Sequence, residues 1–176
     1  HSAKNYIETL VSKGHKVAIC EQTEDPKQAK GVVKREVVQL ITPGTITDGK
    51  SIDSKTNHFL AAAEKLPDNE LAFVYIDVST GEANAQMLEG GAKECIQQLQ
   101  SLNIREVIVT QELQLEMAEM AETTGIVLSL EQEEMDMQKA GTYIELLPEV
   151  LKPTACRLLQ YIERTQMRSL SHLQAF

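Results

Sequence analysis

The sequence predicts a mixed α/β chain: a short α/β unit, a linker, a larger α/β unit on a sheet of mixed strand direction, and a helix that opens a further part. Three observations predict it. Between residues 58 and 130, short apolar or alternating runs trade places with apolar stripes at helical spacing, in the order β-β-β-α-β-α-β. From Thr45 to Thr56 the chain turns to Thr, Asp, Gly, Ser and Lys with little to bury, which marks a boundary. The charge changes regime twice: residues 1–50 hold eight Lys/Arg against six Asp/Glu, residues 51–151 five against nineteen, and residues 152–176 four against one. Three charge regimes suggest three structural parts.

In the first part, Tyr6, Ile7, Leu10 and Val11 recur at helical spacing and Gly14 supplies a stop, so residues 3–13 read as a helix. "KVAICEQ" (16–22) reads as a buried strand. Asp25 before Pro26 suits an N-cap followed by proline in the first turn, opening a brief helix that Gly31 ends. "VVKREVVQLIT" (32–42) is the longest β-branched stretch, a strand closed by the turn signal Pro43-Gly44.

In the second part, "HFLAAAE" (58–64), "LAFVYIDV" (71–78) and "ANAQML" (83–88) read as strands, the last two joined as a hairpin with Gly81 in its turn. Gly90-Gly91 opens a helix that puts Cys95, Ile96, Leu99 and Leu102 on one face. "EVIVT" (106–110) is an uninterrupted apolar run, as a strand covered on both faces requires. A helix over 112–124 and the strand "IVLSL" (126–130) complete a parallel βαβ pair. Three antiparallel strands feeding that pair make a ribonuclease-H-like arrangement. The acidic run 131–138 reads as an exposed loop or frayed helix. Pro148 and Pro153 bracket a second linker, after which Leu158, Leu159, Ile162 and Met167 recur at helical spacing with no clear stop before Phe176. That helix reads as the root of another domain.

Several function classes fall away. No apolar run approaches the roughly 20 residues that cross a bilayer, which with no signal-like N-terminus gives a soluble chain without membrane contact. Cys20, Cys95 and Cys156 are odd in number, far apart and without a CxxC, so they read as buried thiols of the cytoplasm. His1, His15, His58 and His172 are scattered, and neither GxxxxGK[ST] nor a strand-borne GxGxxG occurs, leaving no metal or nucleotide loop. The acidic middle would be repelled by phosphates, so nucleic-acid contact is confined to the flanks.

Two sets of residues remain. Asp77, in "YIDVSTG", could serve a two-metal nuclease, but that chemistry needs further carboxylates converging on shared ions. Glu82 follows the turn, Glu94 lies in a helix and Glu106 opens a strand; the plain alternative is an Asp that stabilises its own hairpin turn. Lys27, Lys30, Lys34 and Arg35 are the candidates for contact with a DNA backbone. Their plain alternative is a solvated rim with Glu21, Glu24, Asp25 and Glu36 as counter-charges.

The stretch "HSAKNYIETLVSKGHKVAICEQTEDPKQAKGVVKREVVQLITPGT" closely resembles the end of the mismatch-recognition domain of the MutS family of DNA mismatch repair proteins. The "KVAICEQ" strand, the "DP" helix start, the basic "KGxVKREV" and the "TPGT" exit follow in the family's order. "STGE" in a hairpin resembles the family's connector domain, ribonuclease-H-like and non-catalytic, and "LLQYIERTQMRSLSHLQ" resembles the first helix of its core domain. The resemblance implies recognition-domain residues 1–46, a linker over 47–56, a connector over 57–148 and the start of a helical core over 149–176. The family's mismatch wedge (Phe-x-Glu) and its ATPase phosphate loop have no counterpart in these residues, so neither mismatch recognition nor ATP hydrolysis is expected of this stretch by itself, and ATP and Mg belong to the parent. The resemblance further implies a relay between mismatch binding and ATP, docking of MutL, mismatched duplex DNA as the parent's ligand, and a homodimeric parent.

Overall fold

The structure, a computed structural model, describes residues 3–25, 31–45, 58–166 and 170–176. The helical spacing near the start becomes α1 (Ala3–Ser12), whose Val11 is buried. A two-stranded antiparallel ribbon follows, β1 (Val17–Gln22) with β2 (Arg35–Ile41). β2 begins later than its β-branched run suggests, and Val32 is left almost fully exposed. The ribbon ends where its partner ends: Gln22 pairs with Arg35, the Thr23 amide donates to the Lys34 carbonyl, and the Lys34 amide turns to the Glu24 carboxylate. The brief helix expected from Asp25 to Gly31 falls largely on residues outside those described.

The larger unit is a five-stranded sheet: β3 (Phe59–Lys65), β4 (Glu70–Asp77), β5 (Ala83–Glu89), β6 (Glu106–Val109) and β7 (Val127–Leu130), in spatial order β5-β4-β3-β6-β7. β3, β4 and β5 pair antiparallel, while β6 runs parallel to both β3 and β7. This is the mixed, ribonuclease-H-like order expected from the sequence. Successive side chains of a strand face opposite sides, and both sides are covered. Ala61, Ala63 and Phe73 pack with α2 (Gly91–Ser101) and α3 (Gln111–Thr124) through Cys95, Leu99 and Met117. Leu60, Val74 and Ile108 pack on the other side.

The cover of that second side corrects the reading of the tail and refines that of the acidic run. Residues 131–136 are a loop exposed for the most part, as expected, but Glu131 and Met135 turn inward and are buried, and Asp136 caps the short helix α4 (Met137–Ala140) by accepting from the Gln138 and Lys139 amides. The tail helix, α5 (Lys152–Gln166), buries Leu158, Leu159 and Ile162 in the same core as Leu60 and Ile108. A sheet with helices on one face needs a second layer on the other, and α5 supplies it. The chain is not helical to its last residue. Over 170–176 the Gln174 amide donates to the Gly81 carbonyl (2.8 Å) and the Phe176 amide to the Tyr143 carbonyl (3.0 Å). Gly81 has φ +81°, and a Cβ there would lie 2.2 Å from the His172 carbonyl oxygen, so the hairpin turn admits this segment only as glycine. Of the three thiols, Cys95 and Cys156 are buried as expected, while Cys20 is exposed on β1.

Candidate functional site: a basic edge and a buried glutamate at the seam

Lys34 and Arg35 stand exposed where β2 begins. Lys34 Nζ lies 2.6 Å from Glu36 Oε1, and this hydrogen bond raises the lysine's pKa and lowers the carboxylate's. One of the four candidate cations is thus paired with the counter-charge its sequence neighbourhood offers. Lys27 and Lys30 lie outside the described residues.

Asp77 sits at the C-terminal end of β4, buried, with its Oδ1 committed to its own turn. It accepts from the Ser79 hydroxyl (2.6 Å), the Ser79 amide (2.8 Å) and the Thr80 amide (3.1 Å). Burial works to raise its pKa, but these bonds and one from the His58 backbone outweigh it and hold the carboxyl below the ordinary range. Among the described residues no three His, Cys, Asp or Glu side chains are grouped to hold a metal ion.

A third site was not singled out by sequence reasoning. The exit of β2, Thr42-Pro43-Gly44-Thr45, closes on itself: the Thr42 amide donates to Thr45 Oγ1 (2.8 Å), the Thr45 amide to the Thr42 carbonyl (3.0 Å), and the two hydroxyls lie 2.9 Å apart. The Gly44 amide then points into the larger unit and donates to Glu106 Oε2 at 2.8 Å. Glu106 opens β6 and is fully buried. Its other oxygen accepts from the Ser129 hydroxyl of β7 and the Tyr161 hydroxyl of α5, each at 2.6 Å. Lys16 Nζ, at the start of β1, lies 3.9 Å from the same oxygen and 5.4 Å from the Tyr161 ring centroid; Arg164 lies 5.5 Å from that centroid. Burial and the adjacent carboxylate push the Tyr161 pKa far above the ordinary phenol range, so it stays a proton donor.

Close approach is what the glycine provides. A Cβ at position 44 would fall 2.5 Å from Leu60 Cδ1 and 3.1 Å from Glu106. A signal existed in the sequence: Glu106 is a charge heading a strand, "EVIVT", that is otherwise apolar enough to be buried on both faces. Such a charge needs partners.

Family models for "MutS domain I" and "MutS domain II" match residues 1–50 and 58–174, the two units just described. The chain belongs to the MutS family. It is 62% identical over 176 residues to the DNA mismatch repair protein MutS of Lysinibacillus sphaericus, covering all of this chain and 21% of that protein. It is 47% identical to the MutS of Bacillus subtilis and 46% identical to that of Geobacillus kaustophilus, covering 99% of this chain and 20% of each relative. The chain therefore spans about a fifth of the length of the curated MutS relatives it matches. The domain II match runs past the expected boundary at 148 to residue 174, through α5 and the segment that meets Gly81.

Proposed function

We propose that this stretch is the relay segment of a DNA mismatch-binding ATPase of mismatch repair. In this reading the N-terminal unit belongs to the part that lies on DNA, and the five-stranded unit is a non-catalytic connector that passes its state onward and contributes to docking MutL. The parent acts on mismatched duplex DNA in the cytoplasm as a homodimer and carries ATP and Mg outside this stretch. The observation that carries the reading is the Gly44–Glu106 bond, because a relay requires its two units to be joined by more than a linker. Lys27, Lys30, Lys34 and Arg35 form the backbone-facing edge, holding phosphates without reading bases. The connector has no nuclease role, since Asp77 spends its carboxylate on its own turn.

The test is made in the full-length protein with Gly44→Ala. Mismatch affinity should stay within about twofold, while the response of ATP turnover to mismatched DNA should fall by about tenfold, a coupling loss of ordinary allosteric size. A response that keeps its wild-type size in a folded variant would remove the relay role.

A further inference from the structure

Four polar side chains on α5, Thr154, Arg157, Tyr161 and the half-exposed Arg164, are spaced three, four and three residues apart and meet the sheet and its acidic loop. Residues at these spacings share one side of a helix. Each finds an acid or carbonyl of the sheet or its acidic loop. Thr154 Oγ1 donates to Glu64 Oε2 (2.9 Å), and Arg157 Nη2 to Glu64 Oε1 (2.9 Å) and Glu134 Oε1 (2.7 Å). Arg157 Nη1 donates to the Glu131 carbonyl (2.7 Å), Arg164 Nε to Glu131 Oε2 (2.9 Å), and the Tyr161 hydroxyl to Glu106 (2.6 Å). Such a stripe permits one register. A slide of one turn, about 5.4 Å, would carry every donor off its acceptor and leave buried charge unpaired.

The N-terminal unit meets this stripe at its far end, through Gly44, Glu106 and Lys16. Glu106 is the shared part. Its two oxygens are rigidly joined, one bound to the Gly44 amide and the other to Tyr161 and Ser129. If the turn withdraws and the carboxylate follows it, the hydroxyls lose their acceptor. If α5 shifts, the same rotation takes the acceptor from Gly44.

We propose that docking of the N-terminal unit and seating of α5 on the sheet are one coupled event, joined at the Glu106 carboxylate and the Tyr161 ring. The connector reading gives this coupling its biological purpose and is what it rests on for that, but the coupling is read without DNA, so the two can fail separately.

The experiment is hydrogen–deuterium exchange on the full-length protein in the absence of DNA. Gly44→Ala, whose added Cβ would press on Leu60 Cδ1 and Glu106 and so displace the turn, should speed exchange in residues 158–166 by at least about fivefold. Tyr161→Phe, which alters only α5, should do the same for residues 42–45, because coupling between two sites is reciprocal. Exchange in α3, on the opposite face of the sheet, should keep its wild-type rate. Variants that each accelerate only their own segment would overturn the proposal. Because Leu60 also packs in the core that holds α5, Lys16→Met at the half-exposed rim separates coupling from a direct clash: about a twofold acceleration in 158–166 is expected, and wild-type exchange there would overturn the coupling.

Discussion

In β2, Val37 and Val38 keep about 40% of their surface exposed, whereas in β3 and β4 Leu60, Ala62 and Phe73 have none exposed. Both regions are strands by composition and both pair antiparallel, the ribbon with one register shift between Ile19 and Cys20. The difference lies in the layers around them. The five-stranded sheet has α2 and α3 on one face and α5 on the other, while the ribbon of β1 and β2, though it touches α1 and α5, leaves each of its residues at least partly exposed. Strand propensity selects the local conformation, but burial depends on what else packs there.

That comparison can be broken by substitution. Phe73→Ala removes a fully buried ring and should cost about 3–5 kcal/mol, against about 0.5 kcal/mol for Val38→Ala. Chemical denaturation of the two variants would settle it, and equal losses would mean that the ribbon carries a core of its own. At the seam, Glu106→Ala leaves the Gly44 amide and the Ser129 and Tyr161 hydroxyls without their acceptor, for an expected loss of about 2–3 kcal/mol. Glu106→Gln should lose much less. Its amide oxygen can still accept from Gly44, and hydroxyls can turn to accept from its NH₂.

Much of the larger unit was legible because its periodicities are unbroken. The strands expected at 58–64, 71–78, 83–88, 106–110 and 126–130 are found within one residue of those bounds. The tail is harder to read, because its charge sets it apart in the sequence although α5 packs in the core of the sheet. The cationic tail and the acidic middle are complementary surfaces of one core: Arg157 and Arg164 meet Glu64, Glu131 and Glu134. The seam escaped because no motif marks a partner 62 residues away; only the unlikely position of a charge at the head of an apolar strand hinted at Glu106. At the basic edge, the pairing of Lys34 with Glu36 gives the solvated-rim alternative one of its expected contacts.

Smaller effects sharpen the contrast between committed and free groups. Asp77 has a lowered pKa in the folded state, so its stabilisation is present above the unfolded-state value near 3.9 and is lost as pH falls through the lowered one. Asp77→Asn should therefore melt lower than wild type at pH 7, by the equivalent of about 1 kcal/mol, and the gap should close toward pH 2. A gap independent of pH would deny the carboxylate its role in the turn. Thiol labelling of the native chain should modify Cys20 quickly and leave Cys95 and Cys156, whose pKa values burial pushes up to about 12 and about 11, unreacted. Replacing Lys27, Lys30, Lys34 and Arg35 together with Gln in the full-length protein should leave the melting temperature unchanged. If two of them touch phosphate, the salt dependence of DNA binding should fall by about two units of slope. An unchanged slope would identify them as a solvated rim.

The Gly44 amide offers the most direct test that the N-terminal unit is held to the sheet by a buried carboxylate. Followed by NMR hydrogen exchange, it should exchange about a hundredfold more slowly than the amide of exposed Gly31, because it points into the larger unit and donates to Glu106. In Glu106→Ala that protection should vanish while the amide of Ile108, inside the sheet, stays slow. A Gly44 amide that exchanges as fast as Gly31 in the wild type, or that remains protected without Glu106, would contradict the seam described here.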